Sequence, residues 1–264
     1  MTDIAVIPAA GRGTRMRPAT RVVPKALLTV VDRPAIQYAV EEAARAGATE
    51  AVLIVDLEVG HLVHQHFVAG DRLPGLEHVK IRPVVQEEAL GLGHAVLETR
   101  RVVADRPFMC ILADDIVQPG FDVLPGLINA ASDGSSAVTL REMSEEKITT
   151  KGAVIPTSDI VDGVMSIGGA VEKPAPGEAP SLYGVLGRYV FQSEIFDHLA
   201  QLEPGHGGEI QLTDAMNELG RLGRLKGVIT DRDLLDVGNP VGLLRASMAL
   251  GRYLYPEFET DPGS

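Results

Sequence analysis

The chain alternates short, largely apolar runs with longer stretches in which apolar residues recur every three to four positions. Ile4–Ile7, Ala51–Val55, Lys80–Val85, Phe108–Leu112 and Ser136–Leu140 are the runs of the first half, and runs without polar alternation predict strands buried on both faces. Between them, Pro34–Ala46, Glu58–Val68, Gly93–Arg101 and Asp122–Ala131 predict helices. The first carries a complete set of end signals, with Asp32 as cap, Pro34 near the first turn and Gly47 as the stop. This order predicts βα units, hence a doubly wound α/β fold with a mixed, mainly parallel sheet flanked by helices.

After about Glu142 the rhythm changes. Gly152–Ile155, Val164–Ser166 and Gly184–Phe191 are separated by Gly, Pro and Asp, which predicts a smaller region of antiparallel or mixed strands. Two helical stretches follow, Glu209–Leu219 and Pro240–Tyr253, and the acidic end from Glu257 to Ser264 predicts a loose tail. No internal repeat or linker interrupts the chain, so residues 1–264 are expected to form a single domain with a specialised second half.

Composition narrows the class. With 264 residues and 45% apolar content, the chain can bury a core without staples. Its single cysteine, Cys110, sits among apolar neighbours; that excludes an internal disulfide and paired-thiol redox chemistry, and fits a buried thiol in a reducing compartment. Asp3 leads directly into a strand and no apolar run approaches a membrane span, so the expectation is a cytoplasmic protein with no membrane partner. A net charge of -12, from 24 basic and 36 acidic residues, argues against general nucleic-acid affinity.

Against this acidic background, residues 8 to 25 stand apart. They read Pro8-Ala9-Ala10-Gly11-Arg12-Gly13-Thr14-Arg15-Met16-Arg17-Pro18, continuing to Pro24-Lys25, with five cations between Arg12 and Lys25 and no carboxylate. A small-residue loop directly after a buried strand lets backbone N–H groups approach an anion. Two familiar phosphate loops do not fit: the dinucleotide fingerprint meets Met16 where a third Gly or Ala is required, and the Gly-Lys-Ser/Thr of the P-loop is missing. Gly91-Leu92-Gly93 likewise meets Val96, so a nicotinamide-dependent oxidoreductase is disfavoured.

The segment instead resembles the loop of the sugar-1-phosphate nucleotidyltransferases, which carry Ala-Ala-Gly-x-Gly-Thr-Arg followed by Pro-Lys. Further matching blocks run in family order: Val31-Asp32-Arg33-Pro34-Ala35-Ile36-Gln37-Tyr38, Leu90 to Ala95, Glu172-Lys173-Pro174, Gly187-Arg188-Tyr189-Val190 and Glu209 to Ala215. The resemblance spans residues 4 to about 250 and is strongest to the bacterial branch using UTP and glucose 1-phosphate. It implies a Rossmann-like nucleotidyltransferase fold, with residues 1–141 mainly binding nucleotide and residues 142–264 mainly binding sugar phosphate and supplying the C-terminal helix. It also implies a homo-oligomer, dimer or tetramer, acting on a nucleoside triphosphate and a sugar 1-phosphate.

Joining two anions calls for cations, backbone donors and metal-binding carboxylates rather than a covalent nucleophile. Arg15 offers a planar fork and Lys25 a mobile charge for the phosphates, and the resemblance assigns them such roles. For Arg12, Arg17 and Arg21 a solvated surface position is at least as good a reading. Asp114 follows the strand at Phe108 and Asp236 follows Leu234-Leu235, which places both at sheet edges where open α/β folds bind ligands. Two such carboxylates suit Mg2+ shared with substrate phosphates, although Asp is also an ordinary turn residue. Asp115 is the weaker candidate, because neighbouring side chains on an extended backbone point in opposite directions.

By resemblance, Gln86 and Gly91 read the base, with Ala9, Ala10, Gly11, Gly13 and Thr14 contacting the nucleotide. Glu172 and Lys173, with Gly152, are implied to bind the sugar phosphate, Lys173 holding its phosphate; a surface ion pair is the plainer alternative. His61, His64 and His66 do not form a convincing metal set, since only the first two share a helix face.

The chain departs from the family pattern at Lys151, where an aromatic usually precedes the glycine that contacts the sugar, and at Arg21, Ala26 and Thr29. These departures leave open another base with another sugar or a cyclitol phosphate. An inactive nucleotide-sugar sensor is a third alternative, disfavoured by the joint presence of Lys25, Asp114, Lys173 and Asp236.

Overall fold

Buried strands with apolar residues on both faces require a layer on each side, and that is how the chain is built. The structure is a computed structural model that describes residues 2–11, 13–70, 73–205 and 208–259; Arg12 and the end of the predicted tail, from residue 260, lie outside them. The strands are β1 Ile4–Pro8, β2 Thr29–Val30, β3 Arg33–Pro34, β4 Glu50–Val55, β5 Lys80–Val85, β6 Phe108–Ile111, β7 Asp115–Ile116, β8 Ser136–Glu142, β9 Gly152–Pro156, β10 Val164–Glu172, β11 Tyr183–Phe191, β12 Leu225–Ile229 and β13 Leu235–Asp236. The helices are α1 Ala35–Arg45, α2 Leu57–His64, α3 Leu92–Leu97, α4 Arg100–Val103, α5 Leu124–Ala130, α6 Glu145–Ile148, α7 Ile195–Leu199, α8 Leu212–Arg221 and α9 Pro240–Leu254.

Among the described residues, nine strands form one sheet in the order β5-β4-β1-β6-β11-β8-β12-β10-β9. From β5 to β6 every pairing is parallel; beyond β6 the pairings are antiparallel except β8 with β12. At the far end the sheet curls so that Ala153 of β9 meets Gly184 of β11. The change of rhythm after Glu142 therefore marks a change of strand direction within one sheet.

Alternating residues feed two separate cores. Ile4 and Val6 of β1, Val52 and Ile54 of β4 and Phe108 and Cys110 of β6 pack with α3, α7 and α8. Ala5 and Ile7, Leu53 and Val55, and Met109 and Ile111 face α1, α2 and α5. Cys110 is fully buried, and burial pushes its thiol up to about 12.

Several predicted boundaries move for local reasons. Asp32 does not cap α1: residues 31 and 32 form the turn of the β2–β3 hairpin, so the carboxylate is spent on Arg33 at 2.8 Å and on the Tyr255 hydroxyl at 3.0 Å. Gly47 does end the helix, at φ 97°, with its N–H on the Ala44 carbonyl. The helix predicted over Gly93–Arg101 is broken into α3 and α4 at buried Thr99, whose hydroxyl donates to the Val96 carbonyl at 2.7 Å. The predicted strand Val164–Ser166 runs on to Glu172, because Gly168-Gly169 forms an irregularity rather than an end. There α8 presses on the sheet: a Cβ on Gly220 would run into the Gly168 backbone, and Asn217 Oδ1 accepts from Ala170 N–H at 2.7 Å.

Candidate active site

Two adjoining cavities open at the edge where β1 and β6 end. The larger, of about 630 Å3, is lined by every predicted nucleotide residue, Ala9, Ala10, Gly11, Gly13 and Thr14 from the loop after β1 with Gln86 and Gly91, and by the predicted phosphate cations Arg15 and Lys25 and the predicted metal ligand Asp114. The smaller, of about 150 Å3, is lined by Gly152 and Glu172, together with Asp115 and Lys151, and shares Leu92 and Leu112 with the first. Arg17 and Arg21 are exposed and lie outside both linings.

The loop after β1 needs glycine at one position for internal reasons. Gly13 has φ 58°, and a Cβ there would stand 2.9 Å from both the Lys25 Cβ and the Thr20 Cγ2. Its carbonyl accepts from the Thr20 hydroxyl at 2.7 Å, which folds the loop back on itself and brings Lys25 to the cleft. At Gly11 a Cβ would meet no protein atom within 4 Å, so the free space beside it belongs to the cleft.

Asp114 Oδ2 accepts from Lys25 Nζ at 2.5 Å. Burial acts to raise the Asp114 pKa, but the Lys25 charge and hydrogen bond outweigh it and hold the carboxyl below its ordinary value. Asp236 is held by the start of α9: its Oδ1 accepts from Gly238 N–H at 2.7 Å and its Oδ2 from Asn239 Nδ2 at 3.0 Å, while Asn239 caps α9 through Gly242 N–H. A two-strand ladder unseen in the sequence sets the spacing, pairing Asp115 of β7 with Asp236 of β13, and Val237 N–H donates to the Asp114 carbonyl at 2.7 Å.

These contacts leave a cradle. A Cβ on Gly238 would lie 2.8 Å from Asp236 Oδ1, 3.1 Å from Lys25 Nζ and 3.2 Å from Asp114 Oδ2. Two carboxylate oxygens facing one small space fit a divalent ion that takes its remaining ligands from water and phosphate. Among the described residues no group of three or more His, Cys, Asp or Glu is placed to hold a metal by itself. His66 lies 2.9 Å from Gln37 Oε1 through its Nε2.

Gln86 is buried rather than solvated; its Nε2 lies 3.2 Å from the Gly91 carbonyl and 3.1 Å from His94 Nδ1. Gly91 is required twice over, by φ 94° and by the 2.8 Å at which a Cβ would meet Glu209 Cβ. Backbone bonds from Ile210 N–H to Leu90 and from Gly93 N–H to Ile210 clamp this turn. They delay the start of α8 from the predicted Glu209 to Leu212 and put Glu209, absent from the predicted site, into the cleft.

In the smaller cavity Glu172 Oε2 accepts from the Thr213 hydroxyl at 3.0 Å, and Oε1 lies 3.2 Å from Lys173 Nζ. Lys173 itself is two-thirds exposed, at 66%, and lies outside both linings. Alternation along the extended backbone divides Asp114 from Asp115, sending one carboxylate to each cavity. Burial raises the Asp115 pKa, and Asp114 and Asp236 push the same way against Lys151 and Arg188.

Sequence reasoning also missed the brace beneath both cavities. Arg188 on β11 is fully buried and uses all five N–H donors, on both Glu42 oxygens and on the carbonyls of Leu112, Gly187 and Asp115. Burial works against its charge, and Glu42 outweighs burial, raising the pKa.

The family model for nucleotidyl transferases matches residues 4–252. The chain belongs to the nucleotidyl transferase family. A family relative, UTP–glucose-1-phosphate uridylyltransferase 2 of Staphylococcus saprophyticus, is 38% identical over 262 residues, covering 92% of this chain and 90% of the relative. The uridylyltransferase YngB of Bacillus subtilis is also 38% identical, over 94% of this chain and 89% of its own length. Among solved structures, a UDP-glucose pyrophosphorylase complexed with UDP-glucose superposes with a TM-score of 0.88 at 31% identity, covering 96% of this chain and all of that one. UTP-bound UDP-glucose pyrophosphorylase of Acinetobacter baumannii gives 0.83 at 30%, with 98% of each chain covered. Among the described residues no helix is long and apolar enough to cross a membrane.

Proposed function

We propose that the chain joins UTP to glucose 1-phosphate, releasing UDP-glucose and pyrophosphate. The observation that carries this reading is the cradle, where Lys25 Nζ, Asp114 Oδ2 and Asp236 Oδ1 face one space beside a nucleotide-sized cleft and a sugar-sized cavity. An oxygen of the sugar phosphate attacks the α-phosphorus of UTP in line as the bond to the bridging oxygen breaks, and pyrophosphate leaves with that electron pair. No covalent enzyme intermediate is needed, and positioning with charge neutralisation supplies the catalysis.

Ala9, Ala10, Gly11, Gly13 and Thr14 hold the triphosphate with backbone donors, and Arg15 forks onto its outer phosphates. Lys25 gives one of its three donors to Asp114 and keeps two for the reacting phosphates. Gln86 and Gly91 read the uracil. Glu172 accepts sugar hydroxyls beside Gly152, and exposed Lys173 takes the sugar's phosphate. Mg2+, held by Asp114 and Asp236, would supply positive charge to the phosphate oxygens.

The single sheet running through both halves supports reading residues 1–264 as one domain. A cytoplasmic location fits the triphosphate substrate and a buried free thiol. Self-association into a dimer or tetramer is supported by exposed Val241, Leu244 and Met248 along one face of α9.

A matrix of nucleoside triphosphates against sugar 1-phosphates, read by pyrophosphate release, tests the proposal. UTP with glucose 1-phosphate should give the highest kcat/KM. Chelation, or Asp114→Asn in a protein with unchanged thermal unfolding, should abolish turnover. A better pair of substrates, or release that survives chelation, would overturn it.

A further inference from the structure

The smaller cavity holds two charged groups that the reaction above leaves without a task. Asp115 is only 7% exposed, and its backbone is fully employed, its carbonyl accepting from Arg188 and its N–H donating to the Leu112 carbonyl at 3.3 Å. Its carboxylate, by contrast, has no hydrogen-bond partner among the described residues; the nearest cation, Lys151 Nζ, stands 3.9 Å away, beyond hydrogen-bonding distance. The carboxylate lines the cavity with its acceptor capacity unused by the protein, so a group bound there can supply the donor.

Lys151 is placed with equal care. Its carbonyl accepts from Lys173 N–H at 3.1 Å, which fixes it at the mouth of the cavity next to Gly152. Its ammonium has no hydrogen-bond partner among the described residues, which leaves its three donors available. On the other side, Glu172 is already engaged by Thr213 and Lys173.

We propose that Asp115 and Lys151 act together as the pair that determines which sugar the cavity accepts, an inference that rests on reading this cavity as the sugar site. An acceptor and a donor 3.9 Å apart match a pyranose hydroxyl, which donates to the carboxylate while it or its neighbour accepts from the ammonium. The opposite charges cancel at this wall, and the Glu172 carboxylate is likewise balanced by Lys173 at 3.2 Å. The pair therefore selects an uncharged, hydroxyl-bearing ring. A hexuronate would bring a third carboxylate between Asp115 and Glu172.

Two isosteric or shape-preserving changes test this, each checked for unchanged thermal unfolding. Lys151→Met should raise KM for glucose 1-phosphate about tenfold or more, the scale of one lost charge-assisted hydrogen bond, while KM for UTP stays within about twofold. Asp115→Asn leaves the Lys151 charge unopposed. It should raise kcat/KM for glucuronic acid 1-phosphate relative to glucose 1-phosphate about tenfold or more, a ratio insensitive to any general loss of rate beside Asp114. A panel of monodeoxyglucose 1-phosphates should show one position strongly discriminated by the wild type and not by Lys151→Met. Unchanged sugar selectivity in both variants would overturn the pair's role. Wild-type protein that turns over no sugar 1-phosphate would overturn the reading of the site instead.

Discussion

Glu42→Gln is the most direct test of how the site is held. The wild-type pair is almost wholly desolvated, with Arg188 at 0% and Glu42 at 2% side-chain exposure. Arg188 Nε donates to Glu42 Oε1 at 2.8 Å and Nη2 to Oε2 at 2.7 Å. Gln preserves the shape but removes the charge and turns one acceptor into a donor facing a donor. Breaking one partner of a buried pair costs about 3–5 kcal/mol, because the remaining charge is stranded. That is a large part of the roughly 5–15 kcal/mol that holds a domain folded. Urea unfolding followed by circular dichroism, extrapolated linearly, measures it. Arg188→Met should cost at least as much, since it also strips donors from the carbonyls of Leu112, Gly187 and Asp115. Combining Arg188→Met with Glu42→Leu should recover the charge penalty and retain the carbonyl penalty. A loss below about 1 kcal/mol for Glu42→Gln, the range of an exposed pair, would refute the argument.

Three further outcomes follow from the same geometry. Gly238→Ala puts a methyl 2.8 Å from Asp236 Oδ1 and 3.1 Å from Lys25 Nζ, so the Mg2+ concentration for half-maximal pyrophosphate release should rise at least about tenfold with little change in Tm; wild-type metal dependence would contradict the cradle. Cys110, fully buried with its thiol near 12, should resist a chromogenic disulfide reagent at pH 8 until urea unfolds the chain, and prompt reaction would show an open core. Burial acts to raise the pKa of Glu50, but hydrogen bonds from Arg106 and Arg82 hold it below its ordinary value of 4.5. Its contribution is therefore complete above that value and is lost as pH falls through the folded value, so the Tm loss caused by Glu50→Gln at pH 7 should shrink steadily as the pH is taken below 4.5.

The cradle explains why several ordinary features matter together. Gly13 lets Lys25 approach, Gly238 leaves the space, Asn239 anchors α9 behind Asp236, and Arg188 braces the bend carrying Asp114. Gly13, Gly238 and Arg188 act through backbone conformation or a backbone hydrogen bond, and Asn239 through its side-chain amide on Asp236. Gly13 and Arg188 fall in blocks that the sequence singles out, whereas Gly238 and Asn239 fall in none.

What could be read from the chain alone was whatever repeats locally. Unbroken apolar runs mark strands covered on both faces, as β1, β4 and β6 are, because side chains alternate between two helical layers. The glycines and cations from Ala9 to Lys25 raise the expectation of phosphate and the Asp residues at strand ends that of a metal, the two expectations on which the proposed function is built. Tertiary structure alone decided what depends on distant partners. Asp32 lost its capping role to a hairpin turn, and α8 started late because Ile210 pairs with Leu90 and Gly93. The β7–β13 ladder, two residues per strand, is too short to have a period, yet it sets Asp114 against Asp236. The Arg188–Glu42 pair joins positions 146 residues apart, and Lys151 meets Asp115 only when β9 curls back onto β11. Local pattern reports how each segment buries itself; only the closed fold determines which polar groups are left facing one another once it has done so.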